Sequence, residues 1–220
     1  MSYAETLMDQ ANGIWEHYYD HPFITQLVDG SLPRNKFRDY LVQDTLYLKE
    51  YTKVCAIAFV KAEDIAVMRY LYGIMQAVIS DETQTHIAYL RDFGMSEADA
   101  LAAPVKPPNR AYLDYMLRVA KEQDWLAGFI STTPCALSYY HVAQRAKAAA
   151  EAAGTLDGNY YRAWIDFYAS PEYQAIYDST VAFVDQQTAG ITAQRQAQFS
   201  EIFQSASEHE LAFWDMALAG

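Results

Sequence analysis

Phe37-Arg38-Asp39-Tyr40-Leu41-Val42-Gln43-Asp44-Thr45-Leu46-Tyr47-Leu48-Lys49-Glu50-Tyr51 is the stretch that settles the fold class. Its apolar stripe of Phe37, Tyr40, Leu41, Tyr47, Leu48 and Tyr51 recurs at helical intervals, which marks one face of an amphipathic helix. Ser31-Leu32-Pro33 opens the pattern and Lys61 closes it, so a long helix over about 33–61 is expected. Asp44 falls on the same stripe. A carboxylate on an apolar face is costly without a partner, so Asp44 is either a pocket residue or an exposed group at the edge of a broad stripe.

The same period extends in both directions. A first helix is expected from about Tyr3 to Tyr19, with Trp15 and Tyr18 inward, ended by His21-Pro22. Another runs from Glu63 to Phe93, striped by Leu71, Met75, Val78, Ile79 and Leu90. Glu82 and His86 share its face four residues apart, a spacing open to metal ligation or to a structural hydrogen bond. Ser96, Asn109, Asp124, Asn159, Ser170-Pro171 and Thr192 read as helix starts. Ala103-Pro104-Val105-Lys106-Pro107-Pro108-Asn109 is the clearest linker, and Ala143 to Ala153 reads as an exposed, Ala-rich helix end. The last helix is striped by Phe199, Phe203, Ala206, Phe213, Trp214 and Ala217, with Glu210 among them. No strand run, repeat or low-complexity tract interrupts this reading. An all-α bundle of about eight or nine helices follows.

Thr132-Thr133-Pro134-Cys135-Ala136-Leu137-Ser138-Tyr139-Tyr140 carries a proline inside a helical pattern. Proline cannot sit in a helix interior without a kink, so a restart is expected, with Thr133 as N-cap and Pro134 first in the helix. Cys135 then sits at the positive end of a helix dipole, where a thiol loses its proton more readily. Tyr139 lies one turn on, on the same face. The pair is either core packing or a thiol and a phenol aimed into one space.

Composition narrows the function classes. The formal net charge is −12, which argues against a nucleic-acid binder. No apolar run reaches the roughly 18 residues of a membrane span, and Met1-Ser2-Tyr3-Ala4-Glu5 has no leader character. Cys55 and Cys135 form no disulfide framework, so a reducing cytoplasmic setting is expected. Tyrosine is abundant at 18 residues, which fits core, interface or a pocket lined by rings with polar tips. No Gly-rich phosphate loop, Gly-x-Ser-x-Gly elbow or duplicated Glu-x-x-His pair occurs.

Several segments, in order, resemble the TenA family, the aminopyrimidine aminohydrolases also called thiaminase II. They are His21-Pro22-Phe23, Asp29-Gly30-Ser31-Leu32-Pro33, Gln43-Asp44-Thr45-Leu46-Tyr47-Leu48, Ala111-Tyr112, Pro134-Cys135 with Tyr139-Tyr140, Trp164-Ile165-Asp166-Phe167-Tyr168 and Glu210-Leu211-Ala212-Phe213-Trp214. The resemblance implies one heme-oxygenase-like helical domain over residues 1–220, commonly in a homotetramer, without heme, metal or other cofactor. It implies hydrolysis of 4-amino-5-aminomethyl-2-methylpyrimidine to the hydroxymethyl pyrimidine, a thiamin salvage step, with cleavage of thiamin as a related activity. It casts Cys135 as nucleophile, Glu210 as the acid that protonates a ring nitrogen, and Asp44 as the group that binds the 4-amino substituent. Tyr47 and Tyr139 stack on the ring in that scheme, while Tyr112 and Tyr168 hydrogen-bond near the thiol. Ser207, Glu208 and His209 stand where the family often has aromatic residues. A non-catalytic pyrimidine-binding regulator and a metal- or heme-dependent oxygenase on the same fold are the competing readings.

Overall fold

The computed structural model describes the backbone of residues 2–219 and the side chains of that range other than 81–85. Twelve α-helices and one π-turn account for the regular structure among the described residues: α1 (Tyr3–Tyr19), α2 (Pro22–Asp29), α3 (Arg34–Lys61), α4 (Ile65–Ala77), the π-turn (Val78–Glu82), α5 (Thr83–Asp92), α6 (Glu97–Leu101), α7 (Pro107–Glu122), α8 (Trp125–Ile130), α9 (Thr133–Ala153), α10 (Arg162–Tyr168), α11 (Pro171–Gln187) and α12 (Ala193–Ala219). There are more helices than the eight or nine expected. The 63–93 stretch is divided by the π-turn, and the 124–153 stretch by the proline restart.

The helix starts are written in side-chain chemistry. Ser2 and Glu5 form a capping box on α1, and Ser96 and Asp99 form one on α6. Asp64, Asp124 and Ser170 each accept from the first turn of the helix that follows. Such caps contribute about 1 kcal/mol each. His21 caps α2 by accepting from the Phe23 amide at Nδ1, and its Nε2 stands 3.2 Å from Asp215 of α12. The His21-Pro22-Phe23 segment is therefore a helix start. Gly30 closes α2 at φ 79°, a left-handed position that suits glycine.

The chain forms two compact units. The first is Met1–Leu32 with Thr133–Leu218; the second is Pro33–Thr132 with Ala219–Gly220. In the first, α9 packs on α10, α11, α2 and α1. Ala143, Ala146 and Ala150 of α9 are buried, while Glu151, Ala152 and Ala153 are exposed, so the expected exposed Ala-rich end is confined to the last residues and to one face before them. Small residues there let neighbouring elements come close. In the second unit α3 is the axis, with α4, α5, α6, α7 and α8 arranged on it. Every residue from Tyr40 to Leu48 is buried, so this part of α3 is enclosed on all sides rather than along one stripe.

Two contacts hold α7 and α8 in the second unit. Lys61 Nζ donates to the carbonyls of Ala120, Lys121 and Gln123 at 2.6, 2.8 and 2.5 Å. A cation thus satisfies the exposed acceptors at the negative end of α7. A Cβ built on Gly128 of α8 would lie 3.1 Å from the Ala120 backbone. Replacing a helix-interior glycine with a better helix former gains up to about 1 kcal/mol. Overpacking costs about 1–3 kcal/mol. Gly128→Val, which adds two methyls to a site already tight for one carbon, is therefore expected to lower stability. Urea titration beside wild type checks it, and an unchanged midpoint would contradict the close approach.

Candidate active site

In the first unit, the restart expected at Pro134 is present. Helix α9 begins with Thr133 inside it, one residue earlier than a Thr133 cap would place it. Cys135 lies in the first turn and is buried at 9% exposure. Tyr139, one turn on, stacks with Trp214 at 5.2 Å and meets Tyr168 at 4.9 Å and Trp164 at 6.0 Å. Tyr168 is enclosed by Trp164, Phe167 and Tyr173. On α12, Glu210 is 2% exposed and sits one turn before Trp214. The thiol and the carboxyl thus each stand one turn from a member of the Tyr139–Trp214 stack.

A third group joins them that sequence reasoning placed only on a buried stripe. The Tyr18 phenol is held well above its usual pKa by burial first and then by the Glu210 carboxylate, with Cys135 acting in the same direction. Glu210 and Cys135 thus both act on the Tyr18 phenol. The Tyr18 hydroxyl donates to the carbonyl of Ser207 at 2.5 Å, and Trp15 Nε1 donates to Ser207 Oγ at 3.1 Å. Ser207 lies three residues before Glu210, so α1 grips α12 within one turn of the carboxyl. The signal was available: Trp15 and Tyr18 are three residues apart on a buried face, and each has a polar tip that needs a partner. Ser207 supplies both partners.

In the second unit, Asp44 is 4% exposed and His86 1%. Nδ1 of His86 stands 3.3 Å from Oδ2 of Asp44. Burial pushes the His86 imidazole down to about 4, while the adjacent carboxylate acts in the opposite sense. Tyr47 and Tyr112 meet with ring centroids 5.1 Å apart and hydroxyls 3.3 Å apart. Gln43, next to Asp44, is fixed by its own network. Its Nε2 donates to the Pro104 carbonyl, and its Oε1 accepts from the Lys106 amide and from Asn109 Nδ2. Asn109 also donates to the Gln43 carbonyl. It lies inside α7, which starts at Pro107 with Lys106 as its cap, so the expected cap at Asn109 is corrected. The proline-rich linker is tied to α3 beside Asp44.

The stripe read for residues 63–93 needs correction at Ile79, which is 61% exposed. The Glu82 side chain lies outside the described residues; His86 faces Asp44 and meets the Tyr40 ring edge-on at 6.5 Å. Among the described residues, no group of three or more His, Cys, Asp or Glu side chains is placed to hold a metal ion. Nor, among them, is any helix long and apolar enough to cross a membrane.

His86 gives stability a pH dependence. Its folded pKa lies below the unfolded value of about 6.5, so between pH 6.5 and 4 the unfolded chain takes up a proton that the folded chain refuses. Stability therefore falls as pH drops through that window. The loss has an upper limit of about 3 kcal/mol at 1.36 kcal/mol per unit, reduced by the attraction of Asp44. His86→Asn removes this component, so its urea midpoint should fall less than that of wild type between pH 7 and 4.5. Equal falls would remove His86 from the acid response.

The profile of the TENA/THI-4/PQQC family matches residues 8–220. An aminopyrimidine aminohydrolase of Halalkalibacterium halodurans is 33% identical over 217 residues, which is 99% of this chain and 96% of that protein. A TenA homologue from P. horikoshii superposes with a TM-score of 0.88 at 28% identity, covering 100% of this chain and 99% of the other. A domain from Shewanella denitrificans with a heme oxygenase-like fold superposes at a TM-score of 0.75, covering 97% of this chain and 90% of the other. Its identity of 12% speaks to the fold alone. The all-α, heme-oxygenase-like class expected from the helical period and the resemblance is the observed one.

Proposed function

The chain belongs to the TENA/THI-4/PQQC family, and on that premise we propose that it is an aminopyrimidine aminohydrolase. It converts 4-amino-5-aminomethyl-2-methylpyrimidine and water to the 5-hydroxymethyl pyrimidine and ammonia, a thiamin salvage reaction. The observation that supports this reading is the Tyr139–Trp214 stack of the first unit, with buried Cys135 one turn from Tyr139 and buried Glu210 one turn from Trp214. A thiol and a carboxyl, both buried, are the equipment for adding a nucleophile to a ring while protonating it.

The roles follow from the chemistry each group can do. Glu210 protonates a ring nitrogen and makes the ring carbons electrophilic. The Cys135 sulfur adds to the ring, and the electrons it supplies push ammonia off the aminomethyl carbon. Water adds to the exocyclic carbon so exposed, and the C–S bond breaks to restore the aromatic ring and the thiol. Addition, elimination and hydration are redox-neutral, so the sequence balances without an electron carrier. Asp44 accepts from the 4-amino group. Tyr47 and Tyr139 are assigned the ring faces, and Tyr112 and Tyr168 the hydroxyls. Residues 1–220 act as one functional domain, in keeping with the span of the family match.

Asp44→Asn is expected to weaken both binding and turnover with the fold intact. A hydrogen bond to a charged group is worth about 1.5–3 kcal/mol, so kcat/KM should fall roughly 10- to 100-fold. Wild-type kcat/KM in this variant would place Asp44 outside the site. A panel of the aminomethyl pyrimidine, thiamin and related pyrimidines, read by mass spectrometry, tests the substrate. Preference for the aminomethyl compound supports the reading, and turnover of thiamin alone would replace it. The proposal also includes a cytoplasmic homotetramer; sedimentation as a monomer at micromolar concentration would contradict the tetramer.

A further inference from the structure

His86 reaches Asp44 through an irregularity in the backbone. Val67, Leu71 and Val78 are buried at separations of four and seven residues, one and two turns of α-helix, so they share a face. Val78 to His86 is eight residues. In regular α-helix eight residues rotate the chain about 800°, roughly 80° beyond two turns. His86 would then point sideways from that face. The π-turn at Val78–Glu82 takes up one more residue per turn than an α-helix does. Eight residues that include it advance about as seven would, and His86 returns to the line of Val67, Leu71 and Val78. Leu90, one turn further on, is 0% exposed. Single π-turns inside helices are rare and concentrate at functional positions; this one sets a buried imidazole against a buried carboxylate.

We infer that His86 is a positioning residue for Asp44: its neutral ring carries the proton on Nδ1, points it at Oδ2, and fixes the plane in which the carboxylate receives the substrate's 4-amino group. The inference rests on the proposed reading of Asp44. The tautomer follows from electrostatics, since a lone pair at Nδ1 facing the lone pairs of a carboxylate oxygen 3.3 Å away would be repelled. The contact is long and poorly aligned for a hydrogen bond as it stands. Catalytic hydrogen bonds commonly tighten only when substrate is bound, and His86 donates fully in that state.

The test is steady-state kinetics of wild type, Asp44→Asn, His86→Phe, His86→Asn and the double variant Asp44→Asn/His86→Phe, each checked for folding by circular dichroism. His86→Phe keeps ring volume and removes the donor. It should lower kcat/KM roughly 10- to 100-fold, the range for losing the partner that orients a ligating group, mainly through KM. His86→Asn places an amide N–H where Nδ1 was, and should recover most of the loss. On the Asp44→Asn background, His86→Phe should cost little more, because the group it positions is already altered. Wild-type kinetics in His86→Phe beside an impaired Asp44→Asn would overturn this inference and leave the reading of Asp44 standing. Wild-type kinetics in Asp44→Asn would sink both. Equal losses in Phe and Asn variants, multiplying fully with Asp44→Asn, would make His86 merely structural and overturn the inference. Nitrogen NMR of histidine-labelled wild type does not depend on any variant folding. A proton on Nδ1 of a neutral ring is expected at pH 7, and a proton on Nε2 alone, or an imidazolium, would overturn the proposal.

Discussion

Cys135→Ser is expected to lose about 10³-fold or more in kcat while still binding the pyrimidine. The serine hydroxyl occupies almost the same volume in the first turn of α9, so the fold and the aromatic cluster around Tyr139 are preserved. What is lost is nucleophilicity: near neutral pH a hydroxyl is a far poorer nucleophile than a thiol. A 10³-fold loss corresponds to about 4 kcal/mol of transition-state stabilisation. Binding survives because the rings and carboxylates that hold the substrate are untouched. Single-turnover kinetics with calorimetry checks both halves of the expectation. Near-normal turnover would dismiss Cys135 as nucleophile, and loss of binding with loss of turnover would point to a structural role.

Glu210→Gln is expected to lose roughly 10²–10⁴-fold, the usual contribution of a general acid or base. The amide is close to isosteric, and the grip of Trp15 and Tyr18 on Ser207 is unchanged by it, so α12 should keep its place. Glu210 and Cys135 serve one addition step in the proposed scheme. Protonating a ring that no nucleophile attacks gains nothing, and attack on an unprotonated ring is slow. The double variant should therefore be little worse than the worse single variant. Losses that multiply would assign the two residues to separate steps.

The proline in a helical run marked the restart that sets Cys135 in a first turn, and the helical period placed Glu210 on a buried face; both are local signals. Other features lay beyond local reading. The enclosure of Tyr40 to Leu48 on all sides comes from five neighbouring helices, and a one-sided stripe could not express it. Ile79 stood at the edge of the apparent stripe, about 80° round from Leu71, and is exposed; the π-turn that brings His86 inward left no mark in residue type. Asn109 is of a type that commonly caps a helix, but Pro107 already starts α7 and Asn109 serves Gln43. Tyr18 and Ser207 are 189 residues apart in sequence. Only the folded chain shows that Ser207 is the point at which α1 holds α12.

The most direct test of the central claim is ammonia release from 4-amino-5-aminomethyl-2-methylpyrimidine by the purified chain, with the organic product identified by mass. The account predicts one ammonia and one hydroxymethyl pyrimidine per substrate consumed, and loss of both in Cys135→Ser. Tight binding of the pyrimidine by wild type with no ammonia released would contradict it and identify the chain as a binding protein.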